Sequence, residues 1–153
     1  MKGFTLIETI IYTALISIII AGALVAVYQV LESSNALYNK IITEQESNFL
    51  LRKFAWALSG VSAINLPAAG ATSSVLSLNK INFSENPIVI DLNSNNMRMK
   101  KGSAEPAILN TQNITVQNLV FEHLSSSGNA PEAIKINLTV DTQSFSTTIY
   151  LRK

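Results

Sequence analysis

Two features of the first eight residues carry the chemistry of this chain: a candidate cut site and a carboxylate at the edge of an apolar run. The sequence begins Met1-Lys2-Gly3-Phe4, so a protease that cuts after Gly3 removes three residues and creates an α-amino group on Phe4. That amine is a cation, and Glu8 is the nearest carboxylate to it along the chain. Phe4 and Glu8 lie one helical turn apart, so a pair within one chain is open. A pair between neighbouring chains is equally open, and it would set an axial stagger between them.

The residues after Glu8 form one long apolar segment. Residues 9–31 contain no charged side chain, and Ile, Leu, Val and Ala dominate. A stretch of about 20 apolar residues is long enough to cross the hydrocarbon core of a bilayer. A secretory signal has a shorter apolar region with a small-residue cleavage site after it, whereas Gly3 comes before this run. The segment is therefore predicted to stay attached as a membrane helix, in which Glu8 is costly unless it finds a partner.

The chain reads Gly3-Phe4-Thr5-Leu6-Ile7-Glu8 next to the initiator and then continues directly into the apolar run. This arrangement resembles the processing and methylation signature of type IV prepilins and type II secretion pseudopilins. The resemblance implies that a prepilin peptidase cuts after Gly3 and methylates the new amine of Phe4. It also implies that Glu8 pairs with the N-terminus of a neighbouring subunit during filament assembly. The implied partners are the prepilin peptidase, other pilin or pseudopilin subunits, an inner-membrane assembly platform and membrane lipid.

The helical pattern continues beyond the apolar run. Residues 32–59 contain no Pro and no Gly, and Gly60 is a suitable C-cap. Two apolar stripes lie at helical spacing, and the 51–58 end of the first is expected to pack on the chain's own sheet. For the second stripe, core packing and contact with a neighbouring subunit are both open, so it is the candidate subunit-interface face. The first stripe contains Leu37, Ile41, Leu51, Ala55 and Leu58, and the second contains Tyr38, Ile42, Phe49 and Trp56.

Strand-like alternation dominates the remainder of the chain. A change of parity near Gln117 and Asn118 predicts a β-bulge. The predicted fold is α+β and pilin-like: a long N-terminal helix, membrane-spanning in its first half, packs by its second half on an antiparallel β-sheet. The predicted divisions are a leader peptide at 1–3, a transmembrane half-helix at 4–31, an amphipathic half-helix at 32–59, a connector at 60–74 and a sheet domain at 75–153.

The rest of the sequence offers no catalytic, cofactor or metal constellation. No Cys is present, which removes disulfides, thiol catalysis and Cys-based metal sites. The single His, His123, has no other ligand residues at suitable spacing and is expected at the surface or a strand edge. Arg98, Lys100 and Lys101 are interpreted as solvated strand charges that discourage edge pairing, rather than as a DNA-binding or surface-binding site. With a net charge near +1, we expect no enzyme activity, cofactor, metal or nucleic-acid partner, although a role in DNA uptake stays open.

These features predict a structural subunit of a type IV pilus-like or type II secretion filament. The absence of Pro from residues 21–28 favours a minor pilin or pseudopilin over a major subunit. Lys2 precedes the apolar run and Glu32 follows it, so the N-terminus is predicted in the cytoplasm. The body then lies in the periplasm or outside the cell, anchored by a single pass through the inner membrane until assembly. The alternative is a membrane-anchored exported binding or adhesive domain that acts alone. Secretion, adhesion or motility, and DNA uptake are all open for the filament.

Overall fold

The computed structural model of the protein describes residues 5–128 and 130–151. It contains two compact units, Met1–Ile41 and Ile42–Lys153. One long helix, α1 (Leu6–Leu58), contributes residues to both units. The second unit also contains all of the β-strands, so the predicted α+β class is confirmed.

The N-terminal unit is helical from Leu6 onwards, and every described residue in it is exposed. Its apolar part makes α1 long and apolar enough to cross a membrane. The hydroxyl groups of Thr9, Thr13 and Ser17 donate to the carbonyl oxygens four residues earlier, at 3.3, 2.8 and 2.8 Å. These side chains therefore satisfy their polar atoms inside the helix, as a segment surrounded by hydrocarbon requires.

The end of α1 is defined by Gly60 and Lys80. Gly60 adopts the left-handed conformation (φ 65°), which Gly reaches without a Cβ clash and which commonly ends helices. The last turn of α1 contains no basic residue. Instead the Lys80 ammonium donates to the carbonyl of Trp56 and, at 3.2 Å, to the hydroxyl of Ser59. This places a cation at the negative end of the helix dipole. Partial burial lowers the pKa of Lys80.

In the described part of the chain, nine strands follow the helix and form two antiparallel sheets. The five-stranded sheet has the order β1-β3-β4-β5-β6, and the four-stranded sheet has the order β2-β7-β8-β9. The strands are β1 (Val61–Leu66), β2 (Thr72–Ser73), β3 (Leu76–Lys80), β4 (Ile88–Asn93), β5 (Asn96–Lys101), β6 (Ala107–Ile108), β7 (Val116–Leu124), β8 (Ala133–Val140) and β9 (Gln143–Tyr150).

Two details of the strand prediction were wrong, and one was right. The prediction named one sheet, and the structure has two. The predicted connector at 60–74 contains β1 and β2, because these strands form by pairing with the distant β3 and β7 rather than through a local apolar alternation. The predicted bulge is confirmed, since the register of β7 against β8 shifts between Val116 and Asn118.

The core of the second unit lies between α1 and both sheets. At its centre the Phe54 ring meets Phe121 of β7 edge to face, with 5.6 Å between ring centroids. The expected packing of the 51–58 end is confirmed for Leu51 and Leu58 but is wrong for Ala55, which is exposed. Leu37 and Ile41 of the same stripe are exposed as well. The buried face of α1 consists of Thr43, Ser47, Leu50, Phe54, Ala57 and Leu58.

Two polar residues explain why this buried face was only partly predicted. Thr43 and Ser47 interrupt the apolar spacing that identifies a core-facing helix. Thr43 is accommodated because its hydroxyl donates to an Asp141 carboxylate oxygen at 3.0 Å, while the other Asp141 oxygen accepts from the Thr115 amide at 2.9 Å. The Ser47 hydroxyl is buried and has no hydrogen-bond partner among the described residues.

We expect a fragment spanning residues 32–153 to fold as a monomeric α+β domain, with Phe54 as a principal anchor. Phe54→Ala should lower its free energy of unfolding by about 3–5 kcal/mol, because it leaves a cavity beside Phe121. The matched change Phe49→Ala, on the same helix but 36% exposed, should cost clearly less. Urea unfolding of the three fragments measures both effects. Equal losses for the two variants would contradict the assigned core face.

Candidate processing and assembly site

The start of α1 is built by a reciprocal hydrogen-bond arrangement between Thr5 and Glu8. The Thr5 amide and the Thr5 hydroxyl both donate to the same Glu8 carboxylate oxygen, Oε2, at 2.9 Å each. In return the Glu8 amide donates to the Thr5 hydroxyl oxygen at 3.3 Å. This is a capping box, in which Thr precedes the helix and Glu occupies its third position. Glu8 therefore has an intrachain role in starting the helix.

The role of Thr5 was not predicted, although its sequence signal is present. Thr-x-x-Glu ahead of an apolar run is the sequence pattern of a capping box. The capping box uses only one oxygen of the Glu8 carboxylate. The second oxygen, Oε1, accepts no hydrogen bond within the described part of the chain. A carboxylate has about four acceptor positions, so a further donor or cation has room to bind.

The residues of the predicted cut, Gly3 and Phe4, lie outside the described residues. Cleavage after Gly3 and methylation of Phe4 therefore stay predictions, and so does the intersubunit pair of Glu8. The structure shows the residues that follow the predicted cut site. There Thr5 holds the Glu8 carboxylate at the first turn of α1.

The four residues of the candidate subunit-interface face occupy different environments. Tyr38, in the N-terminal unit, is 65% exposed. Within the second unit, Ile42 is half-buried and packs against the core, as the core-packing interpretation expects, and its contact with a neighbouring subunit is untested. Phe49 and Trp56 are 36% and 38% exposed and line a groove on the surface of the second unit. Contact with a neighbouring subunit stays a prediction for Tyr38, Phe49 and Trp56.

The predicted basic cluster is divided between the two faces of β5. Arg98 forms a bidentate ion pair with Asp91, which lies opposite it on β4. The Nε–Oδ1 distance is 2.9 Å and the Nη2–Oδ2 distance is 2.7 Å. The hydrogen bonds that Arg98 donates to the Asp91 carboxylate raise the pKa of Arg98. Lys101 instead lies over the Trp56 ring, with 5.1 Å between its ammonium and the ring centroid. These side chains therefore do not act as one patch, and Lys101 belongs to the groove beside α1.

His123 is buried rather than at the surface, so that expectation was wrong. It is 4% exposed, with Nδ1 2.9 Å from the Pro67 carbonyl oxygen and Nε2 2.6 Å from a Glu132 carboxylate oxygen. Both partners come from other parts of the chain, which is why local sequence did not indicate burial. Among residues 5–128 and 130–151, no three side chains of metal-ligating type come together.

The comparisons with known proteins add one finding to this geometry. Residues 1–24 match the family model described as the prokaryotic N-terminal methylation motif. This motif is the prepilin cleavage signal of type IV pilins and pseudopilins, and its presence supports the prediction that a prepilin peptidase processes the chain. The motif implies other pilin subunits as a general class of partner, and the apolar helix fits an inner-membrane anchor. No curated protein and no solved structure matches the chain.

The capping box predicts how variants alter the helix start. Thr5→Val keeps the side-chain shape but removes the hydroxyl, and the loss of a Thr cap typically costs about 0.5–2 kcal/mol. Glu8→Gln keeps the box, because Gln also serves at this position. We therefore expect faster amide hydrogen exchange at Glu8 in Thr5→Val than in Glu8→Gln, measured by NMR in detergent micelles. Equal exchange at residue 8 in both variants and the parent would contradict the box.

Proposed function

We propose that this chain is a structural subunit of a type IV pilus-like or type II secretion filament, assembled through its N-terminal helix. One observation carries the proposal: the prepilin signal leads directly into an apolar helix whose described side chains are all exposed as far as Ile41. A surface of this kind needs lipid or other apolar helices to cover it. Lipid covers this surface while the chain is anchored in the inner membrane, and the helices of neighbouring subunits cover it after assembly.

Processing changes what Glu8 can bind. Before the cut, the Phe4 nitrogen is a neutral amide, and Glu8 accepts hydrogen bonds from Thr5. After the cut, the Phe4 nitrogen is a cationic amine, and charge-assisted hydrogen bonds are stronger than neutral ones. We propose that the amine of a neighbouring subunit binds Glu8 through its open oxygen, while the capping box holds the carboxylate in place. Assembly would then depend on the cut.

The proposed orientation follows from the charges at the two ends of the apolar segment. Lys2 lies on one side, and Glu32 is the first charged residue on the other. The positive-inside rule then supports a cytoplasmic N-terminus, with the second unit in the periplasm or outside the cell. Within the family, the absence of Pro from residues 21–28 supports a minor pilin or a pseudopilin.

The mature chain is expected to begin with N-methylated Phe4. Intact-mass spectrometry of the membrane-extracted protein should show the loss of residues 1–3 and the gain of one methyl group. Gly3→Val should leave the precursor uncut, because a branched side chain blocks a site that accepts Gly. Lys2→Gln is the matched control, since it leaves the Gly3–Phe4 junction unchanged and should still be cut. A full-length mass for the parent chain in peptidase-positive cells would contradict the proposal.

Assembly should depend on the charge of Glu8 separately from its capping role. Glu8→Gln retains the capping box but cannot form an ion pair, whereas Glu8→Leu loses both. Both variants should insert into the membrane, and both should be depleted from sheared filaments relative to the parent. Quantitative immunoblotting of the membrane and filament fractions measures this.

Normal incorporation of Glu8→Gln together with loss of Glu8→Leu would show that the cap, and not the charge, is required. Normal incorporation of both variants would remove Glu8 from the assembly mechanism altogether.

A further inference from the structure

The edge strands of the two sheets differ in how they are protected against pairing with another chain. An edge strand presents unpaired backbone N–H and C=O groups, and proteins usually shorten it, interrupt it or place charges on it. In the described part of the chain, the edge strands β2 and β6 have only two residues each. The edge strand β1 is interrupted by two shifts of its register against β3. These three edges are therefore poor templates for a further strand.

The remaining edge, β9, has none of these protections. It runs for eight residues, Gln143–Tyr150, and its pairing with β8 shows no register shift. Its sequence contains no charged residue and no Pro. Within the described part of the chain, β8 is the one strand that pairs with it. β9 is therefore a long, regular and open edge.

Every second residue of β9 directs its backbone groups away from β8. A tight turn pairs Val140 with Gln143, and the Leu151 amide donates to the Glu132 carbonyl at 2.8 Å. Hydrogen-bonded pairs alternate along an antiparallel ladder, so both contacts assign the odd-numbered residues of β9 to the bonds with β8. The N–H and C=O groups of the even-numbered residues then point to the open edge. These residues are Ser144, Ser146, Thr148 and Tyr150.

The outward backbone groups of β9 have no hydrogen-bond partner within residues 5–128 and 130–151. The hydroxyl of Ser146 donates to Asn137, and that of Ser144 lies 3.4 Å from the Thr139 hydroxyl, but both contacts use side chains. All four even-numbered residues are exposed. A row of donors and acceptors with the spacing of a β-strand is matched by another extended backbone.

The side chains of β9 indicate what the added strand carries. Phe145 and Ile149 are half-buried and pack against the core from one face of the strand. The even-numbered residues place hydroxyl groups on the other face. Because side chains of an added strand alternate in the same way, its apolar residues would extend the first face and its polar residues the second. β9 offers no charge to pair with, so the matching segment is uncharged.

We propose that β9 binds an extended, uncharged segment of another exported protein, which adds antiparallel to the four-stranded sheet. The main chain of the segment supplies affinity, and its alternating apolar and polar side chains supply specificity. Antiparallel pairing is slightly more stable per residue, and the pairings of this sheet are antiparallel. The inference uses the proposed location of the second unit outside the cytoplasm. It does not use the filament role, since neither Gly3 nor Glu8 takes part.

A second copy of the chain fits this edge less well. Two β9 strands that pair antiparallel are related by a two-fold axis perpendicular to the sheet, and pairing all four outward residues places Thr147 on that axis. The same axis reverses the part of α1 that packs on the sheet. Copies anchored side by side in one membrane share the direction of that helix, so they do not meet in this way.

Two N-methylated peptides test the contact with β9. Both are fluorescently labelled, capped seven-residue peptides of alternating threonine and valine, methylated either on the valine or on the threonine nitrogens. In the proposed alignment the valines lie beside Phe145 and Ile149, and the threonine amides face β9. Fluorescence anisotropy with the full-length chain in detergent micelles should show saturable binding of the valine-methylated peptide. The threonine-methylated peptide should bind at least about tenfold more weakly, because its hydrogen bonds to β9 are lost.

Two variants of β9 separate the backbone from the side chain. Thr148→Pro removes one outward N–H but no hydrogen bond to β8, and Pro is tolerated where the N–H of an edge strand faces solvent. It should weaken binding of the valine-methylated peptide about tenfold. Thr148→Ala keeps the N–H and should bind like the parent, and melting temperatures report whether both variants fold. The peptide comparison uses the parent chain alone, so it holds whether or not Thr148→Pro folds.

Several results would overturn the inference. Equal binding of the two peptides, or binding of neither, would do so, as would unchanged affinity in a folded Thr148→Pro. Since the parent chain has no Cys, Thr147→Cys reports on a second copy. A disulfide-linked dimer of this variant in membranes, suppressed by the valine-methylated peptide, would identify a second copy as the occupant instead. Cleavage at Gly3 and Glu8-dependent incorporation report separately on the proposed function.

Discussion

The structure depends on one constraint: the apolar first part of α1 has no covering within its own unit. Every described residue of the N-terminal unit is exposed, including the large aliphatic side chains of the apolar run. A soluble chain does not keep a continuous apolar surface of that length, so lipid or neighbouring helices must supply the cover. The backbone and hydroxyl groups are already satisfied within the helix, which makes it compatible with either environment. The second unit, by contrast, completes its own core.

The capping box gives Glu8 a role within its own chain, beside the intersubunit role proposed for it. Within the chain it accepts two hydrogen bonds from Thr5, which organises the first turn. Hydrogen bonds from neutral donors reduce the cost of placing a carboxylate at the edge of lipid but leave its charge uncompensated. Only a cation removes that remaining cost, and the chain carries none between Glu8 and Glu32. The amine that the predicted cleavage would create is such a cation, which is why we propose it as the partner of Glu8.

The sequence predicted the features that local pattern determines and missed those that distant partners determine. The membrane segment, the helix end at Gly60 and the bulge after Val116 are each encoded within a few residues. The buried face of α1 was only partly predicted, because the partner of the buried Thr43 hydroxyl is Asp141, almost a hundred residues away. The division into two sheets and the burial of His123 likewise depend on non-local pairing. For the site, Glu8 was recognised from its motif, whereas the cations around Trp56 come from separate strands.

The most direct test of this account asks what covers the apolar part of α1. The chain has no Cys, so Ile19→Cys provides a single attachment point for a spin label on an exposed apolar side chain. Electron paramagnetic resonance then measures the collision of the label with oxygen, which concentrates in lipid. The account predicts strong oxygen relaxation in membranes that contain the unassembled subunit, and a shielded, immobile label in sheared filaments. A chain that is absent from filaments and whose label stays lipid-exposed in cells with the assembly machinery would contradict it.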